Sequence, residues 1–549
     1  MPEATVGVAR AAFPKGNLYI RMRDELGTLY DDTTFSGLYP KRGQPAEPPW
    51  RLALITVMQY VENLSDRQAA EAVRARIDWK YALSLELTDE GFDFSVLSEF
   101  RTRLIEGNLE HQLLEGLLQC CDGRGWIKQR GKQRTDSTHV LAAVRALHRR
   151  ECVGETLRHT LNVLATVVPE WLSEITPADW FERYSSRIEA SQLPRAEAES
   201  QQWLLQLGAD GHHLLREIYK PAAPMWLSSI PAVELLRQVW VQQYYIEAGQ
   251  LFYRQTEQLP PQRQLIASPY DIEARNRKKR DTVWMGYCVH LTETCDDELP
   301  NLMTNVETTP ATVVDGSMTD VIHQLEDKER LPREHYLDTA YINAEHLVNI
   351  PKIYHVELVG PAPGNPSWQA QAAGGFDVAS FTIDWQNQQV QCPQGQLSRQ
   401  WNESVNQRGH PMIRVRFGRK QCQACPSYVE CTQAQSHHGR SISLLPYPQH
   451  LALQAARQYQ QTSEFRQRYA TRAGVEGSIS QGIRAFHLRR SRYIGLAKTR
   501  LQHIITATAM NLVRLGSWWN QLPKACTRVS RFAALKPAVS SEDRSALIS

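Results

Sequence analysis

The sequence predicts a mixed α/β protein with a helical N-terminal region, two insertions in its central part and long helices near its C-terminus. Three observations predict it. Val283, Met285, Tyr287, Val289 and Leu291 alternate with small or polar residues, the period-two mark of a strand. Short apolar segments at 302–307, 334–338 and 355–359 read as further strands, with a helical stretch at 319–328 between them. Residues 50–120 and 449–515 carry long helical patterns.

Each element has a local reason. Trp50 to Glu62 is a largely apolar helix, broken by Asn63-Leu64-Ser65-Asp66, where Ser65 or Asp66 caps the next helix, Arg67 to Ala75. A third helix starts near Ser95. Short helices joined by tight turns, with basic residues on the later ones, suit either a helix-turn-helix DNA module or a plain bundle. Residues 149–265 read as an inserted helical block. Its tryptophans, Trp171, Trp180, Trp203, Trp226 and Trp240, are expected as core anchors, and the basic run Arg275, Arg277, Lys278, Lys279, Arg280 as an exposed loop. Asp315-Gly316 makes a turn. Glu334 to Asp338 is a short strand ending on an acid, and His355 to Val359 is closed by Gly360-Pro361. Between Pro361 and Pro446, Gly, Pro, Gln and Cys rise, and Ile413, Val415 and Phe417 alternate with Arg414 and Arg416 in a small β-rich insert.

The chain has 549 residues, about three or four domains' worth. We divide it into an N-terminal helical DNA-binding domain (1–125), a first core strand (126–148), a helical insertion (149–275), central core strands (276–361), a β-rich insertion (362–447), C-terminal helices (448–515) and a loosely structured basic tail (516–549). Hydrophobic residues at 42% and charged residues at 22% exclude a collagen, a mucin or a wholly disordered chain. No run approaches the ~20 apolar residues of a membrane span, and Met1 to Lys15 has no signal-peptide core, so a cytoplasmic protein is expected. Ten cysteines in a chain of this kind read as thiols or metal ligands.

Charge is unevenly placed. From Gly477 to Ser541 there is no Asp or Glu, and eleven Lys or Arg fall in that stretch, although the whole chain is only +3. A one-sign block of this length attracts polyanions such as nucleic acid.

Three acids stand out by context: Asp136 in Arg134-Thr135-Asp136-Ser137-Thr138, Asp338 at the end of a strand, and Glu476 after Tyr469 and Arg472. On one helix, Tyr469, Arg472 and Glu476 share a face. Carboxylates without histidine or thiolate partners suit Mg²⁺ or Mn²⁺, and two such ions support phosphoryl transfer. The same residues can equally be strand-end caps and a salt-bridged helix glutamate.

The segments Arg134 to Thr138, Trp284 to Cys295 and Tyr469 to Leu496, with Val475-Glu476-Gly477-Ser478-Ile479-Ser480-Gln481 and Leu488 to Thr499, resemble a bacterial insertion-sequence DDE transposase. The subgroup is the one numbered eleven-eighty-two, of the class with a β-strand insert before the last catalytic helix, and the likeness runs from about residue 15 to 515. The resemblance implies a ribonuclease-H-like catalytic core, with Asp136 on its first strand, Asp338 just after its fourth and Glu476 on a late helix, holding two Mg²⁺ (or Mn²⁺). The family marks that helix with Tyr, Arg, Glu and Lys. Tyr469, Arg472 and Glu476 fit, while the lysine position holds Ile483, with Arg484 next, ~80° around the helix from Glu476.

Cys422-x2-Cys425-x5-Cys431, with Cys392 upstream, could hold a structural Zn²⁺ that staples the small insert, with His437 or His438 as possible replacement ligands. Free thiols are the alternative. Candidate DNA contacts are Arg484, Arg489, Arg490, Arg492, Lys498 and Arg500 after the last acid, Arg414 and Arg416 on the insert, and Arg74, Arg76, Arg101 and Arg103 on the N-terminal helices, beside Tyr469 and Arg472. The expected function is a transposase that binds the terminal inverted repeats of its element as a homodimer, cuts a strand and joins the 3′-hydroxyl to target DNA, nucleoid-associated in a bacterial cytoplasm. The rivals are a metal-dependent nuclease without strand transfer and a transposase-derived DNA-binding regulator.

Overall fold

The computed structural model describes residues 1–40, 47–372, 374–407, 409–433 and 439–523, with Arg531, Phe532 and Leu535. His437, His438, Lys524, Cys526, Arg528 and Lys536, singled out above or within the basic block, lie outside the described residues.

Three N-terminal helices match the sequence reading closely. α1 (Pro49–Glu62) starts with proline at its first turn and stops at Asn63, which takes left-handed backbone. α2 (Asp66–Ala75) is opened by a capping box: Ser65 accepts from the Gln68 N–H and the Gln68 side chain accepts from the Ser65 N–H. α3 is Ser95–Glu106. These helices have no core of their own. They share one apolar cluster with the central sheet and the last long helix.

The central sheet has six strands: β1 (Lys132–Leu141), β2 (Arg275–Lys279), β3 (Thr282–Thr294), β4 (Met303–Pro310), β5 (Glu334–Tyr336) and β6 (Glu357–Val359). The order is β2-β3-β1-β5-β6, and β4 also pairs with β3. β1, β3, β4 and β2 pair antiparallel, while β1, β5 and β6 pair parallel. β3 crosses the end of β1 at Gly286, where a Cβ would stand 2.2 Å from the Val140 carbonyl oxygen, so only glycine fits. The basic run 275–280, expected as a loop, is instead an edge strand and its turn. Its backbone is captured by β3, which local charge does not forbid.

The helical insertion packs around its own apolar cluster. Trp180 and Trp240 are buried in it and Trp171 and Trp203 flank it, as anchors should. Trp226 is not an anchor: it is 49% exposed, on a short 3-10 turn between two helices. The insertion also carries a β-hairpin, Tyr244–Glu247 with Gln250–Tyr253, which its helical periodicity did not reveal.

The second insertion holds a three-stranded sheet of β7 (Gln400–Val405), β8 (Pro411–Arg416) and β9 (Ser441–Leu444). Ile413, Val415 and Phe417 face its small core and Arg414 and Arg416 are exposed, as the alternation predicts.

The C-terminal helices include α4 (Gly474–Phe486) and α5 (Leu496–Trp519), the latter running four residues past the expected boundary at 515. From Leu501 to Leu512 every residue of α5 is buried, including the polar Gln502, His503, Thr506, Thr508 and Asn511, so the helix threads the core. Asn511 fixes it to β4 by accepting from the Met303 N–H at 2.7 Å and donating to the Met303 carbonyl at 2.9 Å.

Candidate active site

Asp136 is the fifth residue of β1, and Asp338 comes two residues after β5. The register pairs Arg134 with Tyr336 across these parallel strands, so two further residues along each strand bring the acids level. Both carboxylates cap local backbone. The Ser137 N–H donates to Asp136 Oδ1 at 2.8 Å, and the Thr339 N–H to Asp338 Oδ1 at 2.6 Å, where Asp338 opens a 3-10 turn.

The third acid arrives differently from expectation. Tyr469, Arg472 and Glu476 do not lie on one continuous α-helix. Tyr469 ends a short helix, Arg472 is in a 3-10 turn (Ala470–Ala473), and Glu476 is in the first turn of α4. The break follows from Arg134, whose Nη1 takes the Thr471 carbonyl at 2.7 Å, and from Gly474, where a Cβ would stand 2.0 Å from that same nitrogen. The face survives the break. Arg472 Nη2 lies 2.7 Å from Asp136 Oδ2, and Arg472 Nη1 lies 3.1 Å from Glu476 Oε1. Glu476 keeps 68% of its side chain exposed.

Electrostatics follow from this placement. Burial pushes the Asp136 carboxyl above the ordinary aspartate range; Arg472 opposes that, and Asp338 and Asp315 add to it. Burial opposes the charge on Arg472, yet Asp136, Tyr469, Asp338 and Glu476 together hold its pKa above the usual value. Burial raises the Tyr469 phenol, and its ring stacks on Phe465 at 5.4 Å between centroids.

Three functional neighbours escaped the sequence reading. Asp315, read only as a turn residue, is buried, accepts from Ser137 Oγ at 3.1 Å and lies 3.4 Å from Lys279 Nζ. Glu293 is fully buried on β3, between Arg134 at 2.7 Å and Arg514 at 2.6 Å. Its Oε2 also accepts from Ser478 Oγ at 2.6 Å, which ties the helix of Glu476 to the sheet. Burial opposes the charge on Glu293, but the two arginines and Ser478 outweigh it and hold the carboxyl below the ordinary glutamate range. Arg134 is the other half of this clamp. A glutamate amid the apolar positions of β3 was the one available signal for Glu293.

Both ends of the chain match transposase families. Residues 391–516 match the model described as "Transposase DDE domain", and residues 8–103 match the one described as "Transposase domain (DUF772)". Glu476 falls inside the first match, and Asp136 and Asp338 lie between the two. No curated protein and no solved structure matches the chain.

The basic residues divide into exposed ones and ones turned toward the protein. Arg484, Arg490, Arg492 and Lys498 are exposed. Arg489 Nε donates to Thr138 Oγ1 at 2.8 Å, two residues beyond Asp136, and the adjoining backbone bridges to the end of β1 at Leu141. Arg492 also lies over the Tyr60 ring. Arg500 turns inward toward Glu307 and His111. On the N-terminal helices the expected DNA contacts are engaged within the protein. Arg74 pairs with Glu71, Arg76 with Glu62 and Asp78, and Arg103 lies over Tyr39. Arg101, expected at the DNA surface, is instead buried and paired with Asp66 at 2.6 Å, because its turn of α3 faces α2.

Cys392, Cys422, Cys425 and Cys431 line one cavity with Phe381 and Phe417, and none of the four forms a disulfide. Burial raises the Cys431 thiol, and the nearby thiols act in the same direction. The Arg440 N–H donates to Cys422 Sγ at 3.4 Å. Among the described residues, no group of three or more His, Cys, Asp or Glu is gathered closely enough to hold a metal ion. The donor set itself, three carboxylates with one held up by burial beside two more, suits a hard divalent cation. Among the described residues no helix is long and apolar enough to cross a membrane.

Proposed function

We propose that this chain is an insertion-sequence transposase that cuts the ends of its element and joins them to target DNA. The observation that carries this is the level placement of Asp136 and Asp338 on parallel neighbours, with Glu476 joined to Asp136 through Arg472. The sheet order supports a ribonuclease-H-like core: an antiparallel set continued by two parallel strands, with Asp136 on β1 and Asp338 just past the end of its parallel neighbour β5. The matches to transposase families at both ends support the activity class.

In this reading Asp136, Asp338 and the exposed Glu476 would hold two divalent ions. When bound, Mg²⁺ supplies the Lewis acidity that phosphoryl transfer needs at the attacking and leaving oxygens. Arg472 stays beside Asp136 and offsets its charge, and Asp338 and Asp136 are oriented by the backbone N–H groups that cap them. Arg489 and Arg490, fixed to the end of β1, hold the DNA backbone beside the acids, and Arg484, Arg492 and Lys498 extend that surface. Arg414 and Arg416 present a second cationic strip on the insert. Two copies acting together would bring two ends into one complex. The four cysteines are proposed to take a structural Zn²⁺ on small movements of their side chains, which metal analysis of the purified chain tests.

The test of function is cleavage of labelled duplex carrying the element's own end, in Mg²⁺ and in EDTA. Nicking that needs Mg²⁺ and vanishes in Glu476→Gln is expected, followed by joined product when target DNA is added. Cleavage without joined product would reduce the chain to a nuclease, and binding without cleavage to a regulator.

A further inference from the structure

The basic run 275–280 has no part in the account so far. It forms β2 and the turn into β3, at the edge of the central sheet. Arg277 is the anchor of this hairpin: its Nη1 donates to the carbonyls of Ala311 at 2.7 Å and Val313 at 2.8 Å, on the loop that leads to Asp315. Lys279 reaches Asp315, and Asp315 receives Ser137, the residue after Asp136. The hairpin is thus tied to the acid site through two side chains. Its tip is different. Lys278, Arg280 and Val283 are exposed, and Arg280 stands in left-handed backbone at φ +56°. Any side chain is less favoured there than glycine or asparagine, so Arg280 is held in the turn at a modest conformational cost.

We propose that the tip of this hairpin, Lys278 with Arg280, grips the phosphate backbone of duplex DNA lying over the acid site. The inference rests on the transposase reading and adds to it a contact surface on the opposite side of the sheet order from Arg489 and Arg490. Neither cation reads bases here; each neutralises a phosphate and displaces its counterion. Lys279 serves a different purpose, holding Asp315 in place, so charge at the tip and order at the acids come from adjacent residues of one strand.

The experiment is the salt dependence of binding of the full chain to a duplex of about three helical turns and arbitrary sequence, read by fluorescence anisotropy. Lys278→Ala with Arg280→Ala should weaken binding and reduce the slope of log affinity against log salt by about 2, since each phosphate contact contributes about 0.9. Lys278→Arg with Arg280→Lys should keep the slope. Arg280→Gly should melt no lower than the parent, because it relieves the left-handed backbone, yet lose about one contact's worth of slope. An unchanged slope in the double alanine variant, while the parent binds duplex, overturns the hairpin proposal and leaves the transposase reading standing. A parent that does not bind duplex at all overturns both.

Discussion

Arg472 lies 2.7 Å from Asp136, with its guanidinium also 3.1 Å from Glu476, so one cation answers the charge of two acids that stand 340 residues apart in the chain. A buried carboxylate beside two others is expensive to ionise, and Arg472 is the group that makes it tolerable.

Arg472→Ala therefore raises the Asp136 pKa further, since it removes the contribution that lowers it. The acid limb of the pH–rate profile for DNA cleavage should move to higher pH, with activity at neutral pH down by about a hundredfold, the scale of one lost charged contact at such a site. Arg472→Lys should recover part of the shift. A profile that keeps its acid limb in Arg472→Ala contradicts the electrostatic role.

Asp136→Asn should abolish cleavage without weakening the fold. The folded-state pKa of Asp136 is raised, so its ionised form opposes folding, and that cost grows as pH rises through the ordinary aspartate range. Thermal melting at neutral pH should be equal or higher, by up to about 1 kcal/mol. A markedly lower melting temperature would make Asp136 a structural residue.

Glu293→Gln should be among the most damaging single changes. It leaves Arg134 and Arg514 facing each other across a fully buried site, which costs about 3–5 kcal/mol. The carboxyl is held below its ordinary value when folded, so its contribution is present above that ordinary value and is lost as pH falls through the folded one. Denaturant midpoints measured from neutral to acidic pH should fall in the parent and stay flatter in the variant.

Gly474→Ala tests the break between Arg472 and α4. The added methyl meets the Arg134 guanidinium at 2.0 Å, so either Arg134 leaves the Thr471 carbonyl or α4 moves. We expect a loss of about 1–3 kcal/mol in denaturant stability and a larger loss of cleavage, because Glu476 sits two residues on. Cleavage equal to the parent would show that this contact does not place Glu476.

Glu326 provides a separate pH signature. Burial pushes its carboxyl up to about 8, and Arg330, already committed to Glu115 and Asp122, only partly offsets it. A raised acid stabilises the fold fully below its unfolded value, and that contribution is lost as pH rises toward about 8. Glu326→Gln should remove this alkaline loss of stability between roughly pH 5 and 8, read by denaturation across that window.

Much of the architecture is legible in the chain because its signals are local. The capping box at Ser65, the alternation through β3 and β8, and the long helical pattern of α5 are each set by near neighbours in the chain. The same residues point to three acids, an arginine and four thiols as the groups worth placing. What local sequence does not carry is which strand lies beside which. The parallel pairing of β1 with β5 makes Asp136 and Asp338 level, and only the docking of α4 through Arg134, Glu293 and Arg514 brings Arg472, with Glu476 four residues on, to Asp136. Burial likewise turned Arg101 from a surface charge into an ion-pair partner, and sheet pairing turned the basic run 275–280 from a loop into an edge strand. In each case the deciding term is desolvation or backbone pairing that depends on how separate elements meet, and those energies exist only once the chain has folded.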